Sequence, residues 1–173
     1  MKIKILLTFI FFFLNLSAFA NNIRVIDFQS IIDNNTNLDL LYDQIDKDQI
    51  SHKKVFTDEE LILQNEFKRI DELNLILEPI ELEKEVENYN LKLNNFNVKI
   101  EKFNAHYESQ INNLKNTIIN ITLAELRKYS EDNKIDLILD SNSYILSNNS
   151  INITDIIKDQ VNKITIEINF EKY

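Results

Sequence analysis

Between Leu82 and Tyr107 the apolar residues stand at Leu82, Val86, Tyr89, Leu93, Phe96, Ile100, Phe103 and Tyr107, an alternation of four and three with no missed step. A spacing averaging about 3.5 residues keeps one stripe of a slightly underwound helix facing a partner helix, which is the mark of a coiled-coil seam. An earlier seam runs through Leu38, Leu41, Ile45, Asp48, His52, Phe56, Glu59, Leu63, Ile70, Leu73 and Leu77. Pro79, the single proline, stands between the two. Proline breaks a helix from within, so the chain is expected to reverse at Pro79 and Ile80.

Arithmetic tests that reversal. In an antiparallel pair, facing positions have numbers adding to a constant. Leu38 with Ile121, Leu41 with Ile118, Ile45 with Leu114, Phe56 with Phe103, Leu63 with Phe96, Ile70 with Tyr89, Leu73 with Val86 and Leu77 with Leu82 all add to 159. The expectation is a long antiparallel helical hairpin over residues 37–132, its tip near 78–81, reaching roughly 60 to 70 Å at 1.5 Å per residue.

The first twenty residues read as a cleavable secretory signal. Lys2 and Lys4 form a short positive region, residues 5–16 are apolar except for Thr8 and Asn15, and Ala18-Phe19-Ala20 places small residues around a larger one. Cleavage is expected after Ala20. The apolar stretch is short for a membrane span of about 20 residues.

Composition excludes several chemistries. The chain has 19 basic and 28 acidic residues. Two of the lysines lie in the signal, so the mature chain has 17 basic against 28 acidic residues, a net of −11. Nucleic acid is therefore not an expected partner. With no cysteine there is no disulfide or thiolate metal site, and two histidines alone do not fill a zinc shell. With no glycine there is no phosphate-cradling loop. Neither metal nor cofactor is expected, and no enzyme.

The remainder, residues 21–36 and 133–173, reads as a small β-rich body, making the fold class α+β. Residues 23–28 and 135–140 suggest buried strands, 144–146 a third strand, and Thr154-Asp155 the cap of a helix through Val161. Ile164, Ile166, Ile168 and Phe170 alternate with Thr165, Glu167 and Asn169, as in a half-buried strand. Ile23, Val25, Leu137 and Leu139 are too apolar for the open face of so small a sheet, so they are the expected oligomerisation residues.

Off the seam lies a second apolar stripe: Leu61, Ile62, Leu75 and Ile76 on the first helix, with Leu91 and Val98 on the second. It reads either as a surface for a client protein or as extra packing around a broad seam. His52 and His106 are expected near one level of the hairpin, where packing and solvation account for them. Asp136 and Asp140 flank a strand with nothing else converging on them, which suits turn and edge roles.

Together, the signal, the opening IRVIDFQSII, the long hairpin and the closing IDLILDSNSYILSNNSINITDIIKDQV resemble the Skp (OmpH-like) periplasmic chaperones. The resemblance implies a homotrimer joined through the β-rich body, with helical tentacles enclosing unfolded outer-membrane proteins in the periplasm. It implies an ATP-independent holdase; a structural or adaptor coiled coil of the envelope is the alternative. The chain departs from that pattern twice. Between Asp58 and Glu87 stand eleven acids against Lys68, Arg69 and Lys84, which argues against contact with anionic membrane or lipopolysaccharide. Residues 163–173 extend past the point where such chains commonly stop.

Overall fold

The computed structural model describes residues 22–173, and the expected signal lies outside the described residues. The elements are β1 (Ile23–Ile26), α1 (Phe28–Asp33), α2 (Thr36–Leu73), α3 (Pro79–Asn133), β2 (Leu137–Asp140) and α4 (Thr154–Asn162), with short 3-10 turns at Ser141–Ser143 and Asn149–Ile151. The fold is thus mostly helical with a small two-stranded sheet.

Helix α2 begins where the Asn35 side chain accepts the Asn37 amide, a cap for an otherwise unpaired donor. Its 38 residues and the 55 of α3 correspond to roughly 55 and 80 Å. Partners descend along α3 as they ascend along α2. Asp48 meets Tyr107, Phe56 meets Phe103, Glu59 meets Lys99, Glu66 meets Lys92 and Arg69 meets Glu85. The three ion pairs are partly exposed, Glu66 being the most covered of their members, and contribute little beside the seam. Side chains at the seam carry the association, from Leu38, Leu41 and Ile45 at the base to Leu63 and Ile70 near the tip, all buried.

The turn differs from the expectation. The helical path of α2 stops at Leu73, residues 74–78 reverse the chain, and Pro79 occupies the first turn of α3. There its missing amide hydrogen is not needed and its fixed φ suits the helix. Proline therefore starts the return helix; the reversal comes just before it. Displacing the turn also displaces the seam beside it: Val86 is exposed, and Glu85, paired with Arg69, is the half-buried residue.

The far end of α3 closes on Lys134, which takes a left-handed conformation at φ 51°. Such a position favours glycine, and the chain has none. From there β2 runs parallel to β1, pairing Ile23 with Leu137 and Val25 with Leu139. The whole arm serves as the crossover that a parallel pair requires. On the other side of β1, the Ile153 amide donates to the Val25 carbonyl at 2.9 Å. Ile26, Ile31, Ile32, Ile153, Ile157 and Val161 join Leu38, Leu41, Leu114 and Ile118 in one buried cluster, so body and arm base share a core.

Three further expectations change. Residues 144–146 form no strand, and Ile145 and Leu146 are fully exposed. The cause lies at Asp140, whose carboxylate accepts the Phe28 amide and caps the turn at Asn142, steering the chain off the sheet. The cap of α4 is Ile153; Thr154 is already helical, and its hydroxyl accepts the Asp27 amide at 2.8 Å. Residues 164–170 keep their alternation of half-buried and exposed side chains but pair with no strand among the described residues. They lie against the helical arm.

Of the four expected oligomerisation residues, Val25 is buried within the chain, Ile23 and Leu139 are half-buried, and Leu137 is 47% exposed.

Candidate functional site

The arm carries apolar side chains that nothing among the described residues covers. Leu61, Ile62, Leu75, Ile76, Leu91 and Val98 are all exposed, from 38% at Val98 to 88% at Leu75. Leu75 and Ile76 belong to the turn; the sequence pattern had put them on the first helix. Phe67 and Ile80, which no stripe singled out, are exposed as well. Phe67 stands 5.7 Å from Tyr89, centroid to centroid. Their common signal in the sequence is negative: each is a large apolar residue at a position the seam does not use. The tip therefore combines exposed apolar side chains with the acidic run between Asp58 and Glu87.

Nearer the base, residues 164–173 lie in the groove between α2 and α3. Ile166, Ile168 and Phe170 pack on the buried cluster. Tyr173 ends the run among rings, 5.5 Å from His52, 5.0 Å from Phe103 and 5.6 Å from His106. The two histidines thus flank one tyrosine that sequence periodicity could not have brought there. Among the described residues no group of three or more metal-ligating side chains converges.

Below Tyr173 lies Asp48, a charged residue in the seam and only 8% exposed. One of its oxygens accepts the Tyr107 hydroxyl at 2.7 Å and the Tyr173 amide at 3.0 Å. The Tyr107 bond holds the Asp48 carboxyl below its ordinary range against the opposing effect of burial, with smaller help from the Tyr173 amide, His52 and Lys172. Burial, reinforced by Asp48, pushes the Tyr107 phenol up.

A carboxylate whose folded pKa is depressed contributes stability above its unfolded value, about 4, and loses it as pH falls through the folded value. Asp48→Asn is therefore expected to be less stable than the parent at neutral pH, with the gap shrinking below about pH 4. Urea denaturation of both proteins at about pH 7 and about pH 3 checks this. An equal gap at both values would remove Asp48 ionisation from the account.

The carboxylates flanking β2 are occupied structurally. Asp136 accepts the Asn22 amide at 2.7 Å, and Asp140 accepts the Phe28 amide at 3.0 Å, which holds its pKa down. Among the described residues no helix is long and apolar enough to cross a membrane.

No family model matches the sequence, and no curated protein matches it. A solved chain from Caulobacter crescentus CB15, provisionally assigned as an outer membrane chaperone (OmpH-like), shares the fold. The match covers 87% of this chain and 89% of that one, with a TM-score of 0.63 and 15% sequence identity.

Proposed function

We propose, from a fold shared with an OmpH-like chain, that this protein is an ATP-independent holdase of the periplasm. It binds unfolded outer-membrane proteins and keeps them from aggregating in transit. The observation that carries the reading is the number of exposed apolar side chains on the outer arm, above all Leu75, Ile76, Ile62 and Leu91. Isolated surface leucines need no explanation, but several on a thin arm with no second layer among the described residues call for a partner. Fold likeness to the Caulobacter chain supports a chaperone over an enzyme.

Several arms acting together would make weak contacts sufficient, because each bound segment raises the effective concentration of the next. That argues for assembly, and the proposed assembly is a trimer joined through the body at Ile23, Leu137 and Leu139. The arms, antiparallel coiled coils, would then enclose the client. An acidic tip does not attract acidic clients, so capture rests on apolar contact and holds as salt rises.

Changing Ile62, Ile76, Leu91 and Val98 together to serine is expected to abolish most protection of a denatured outer-membrane barrel diluted from urea. Helicity and assembly mass should remain, because these side chains are exposed. The measurement is light scattering at a series of chaperone ratios. Unchanged protection by the quadruple variant would overturn this surface, and failure of the parent to protect any of several unrelated barrels would favour an adaptor.

A further inference from the structure

Residues 164–173 leave α4 as an extended strap, and every polar contact between the arm and the strap goes to the strap's main chain. Gln110 clasps Glu171 from both sides: its Oε1 accepts the Glu171 amide at 2.9 Å and its Nε2 donates to the Glu171 carbonyl at 2.9 Å. The His106 Nε2 lies 2.8 Å from that same carbonyl. Asp48 accepts the Tyr173 amide at 3.0 Å, and Asn37 donates to the Ile164 carbonyl at 3.4 Å. The remaining recognition is apolar and alternate, with Ile166, Ile168 and Phe170 inward and Thr165, Glu167 and Asn169 outward. A groove that contacts backbone amides and every second side chain selects an extended strand of that pattern. It does not select one sequence.

The strap fills this groove incompletely. A cavity of about 240 Å³, partly open to solvent, lies along the strap between Leu41, Gln110, Leu114 and Thr117 on the arm and residues 166–169. Among the described residues, the main chain from 165 to 170 makes no hydrogen bond. Larger side chains at the inward positions would gain contacts that isoleucine leaves unmade.

We propose that this groove is a binding site for extended peptide segments with apolar, preferably aromatic, side chains at alternate positions, and that residues 164–173 are its resident occupant. Strands of membrane β-barrels carry that alternation. An incoming strand takes the place of the strap, whose tether gives it an effective concentration of order millimolar and so sets the threshold a client must exceed. The inference deepens the holdase reading and rests on it only for the source of the strand.

Fluorescence anisotropy tests the site with a labelled peptide carrying the sequence of residues 164–173. A chain ending at Lys163 is expected to bind it at least about tenfold more tightly than the full chain, where the tethered strap competes. A peptide with phenylalanine in place of Ile166 and Ile168 is expected to bind more tightly still. One of the parent composition with its apolar residues clustered should bind about tenfold more weakly, as should the parent peptide to a truncated chain carrying Gln110→Ala. If truncation unfolds the protein, the full chain carrying Ile166→Ser and Ile168→Ser loosens the strap in place and serves as receptor, with helicity checked by circular dichroism.

Equal affinity for alternating and clustered peptides overturns the recognition. Equal affinity of full and loosened chains overturns the resident occupant. Absence of binding to a folded, loosened chain overturns the site. Peptide binding by a protein that protects no barrel would defeat the holdase reading and leave the groove standing, while protection without peptide binding would defeat the groove alone.

Discussion

The trimer proposed above is expected to fall to monomers when Leu137 is changed to aspartate. Leu137 stands at 47% exposure on β2, which pairs with β1 along one edge and, among the described residues, has no strand on the other. Beside it opens an apolar depression of about 660 Å³ lined by Phe28, Leu123, Leu126 and Ile138. An open edge flanked by apolar side chains invites pairing with another chain. Covering the exposed half of one leucine contributes about 1 kcal/mol, and each copy in the proposed assembly adds its own. A carboxylate placed there joins Asp136 and Asp140, with Arg127 as the one cation of the lining to offset three acids, so its burial costs more than the leucine contributes. Sedimentation at low micromolar concentration decides the matter, and an aspartate variant that keeps the parent mass would take Leu137 out of the interface.

The second large effect lies inside the shared core. Ile157 is fully buried on α4, in the cluster that joins the body to the base of α2 and α3. Ile157→Ala removes buried carbon and leaves a cavity, at a cost of about 2 to 5 kcal/mol. Its neighbour Ile156 is 44% exposed, so Ile156→Ala should move stability by no more than about 0.5 kcal/mol. Urea unfolding followed by circular dichroism should separate the two clearly. Equal shifts would mean that α4 is not docked through its Ile157 face.

The helices were legible because a seam repeats and each repeat is independent evidence. From Leu38 to Leu77 the expected seam positions are buried or half-buried, polar Asp48 and His52 among them. What failed was local. Pro79 marks a break but not the side on which the turn lies, and that uncertainty of a few residues put Leu75 and Ile76 on a helix and Val86 in the seam. In the body, apolar character at residues 144–146 suggested a strand. Whether a strand forms depends on a neighbouring edge, and the Asp140 cap removes it. The strap shows the same division. Alternation from Ile164 to Phe170 gave the half-buried face correctly but suggested a strand that does not form, since period two says nothing about what covers that face. The contact between Tyr173 and Asp48 spans 125 residues, and no local pattern encodes such a distance.

The pairing of β1 with β2 also favours one order of folding. Asn22 and Asp136, which meet at the foot of the sheet, are 114 residues apart in the chain. Closing a flexible loop of that length costs entropy before any contact rewards it. The two arm helices, by contrast, grow by local steps within microseconds. Once they zip together, they carry the first strand and the second to the same end of the molecule, and the long loop is already closed. During synthesis β1 emerges early and waits unpaired until more than a hundred further residues have followed. Mutations at the distant turn, tens of ångströms from the sheet, should therefore slow formation of the body while barely altering the rate at which it comes apart.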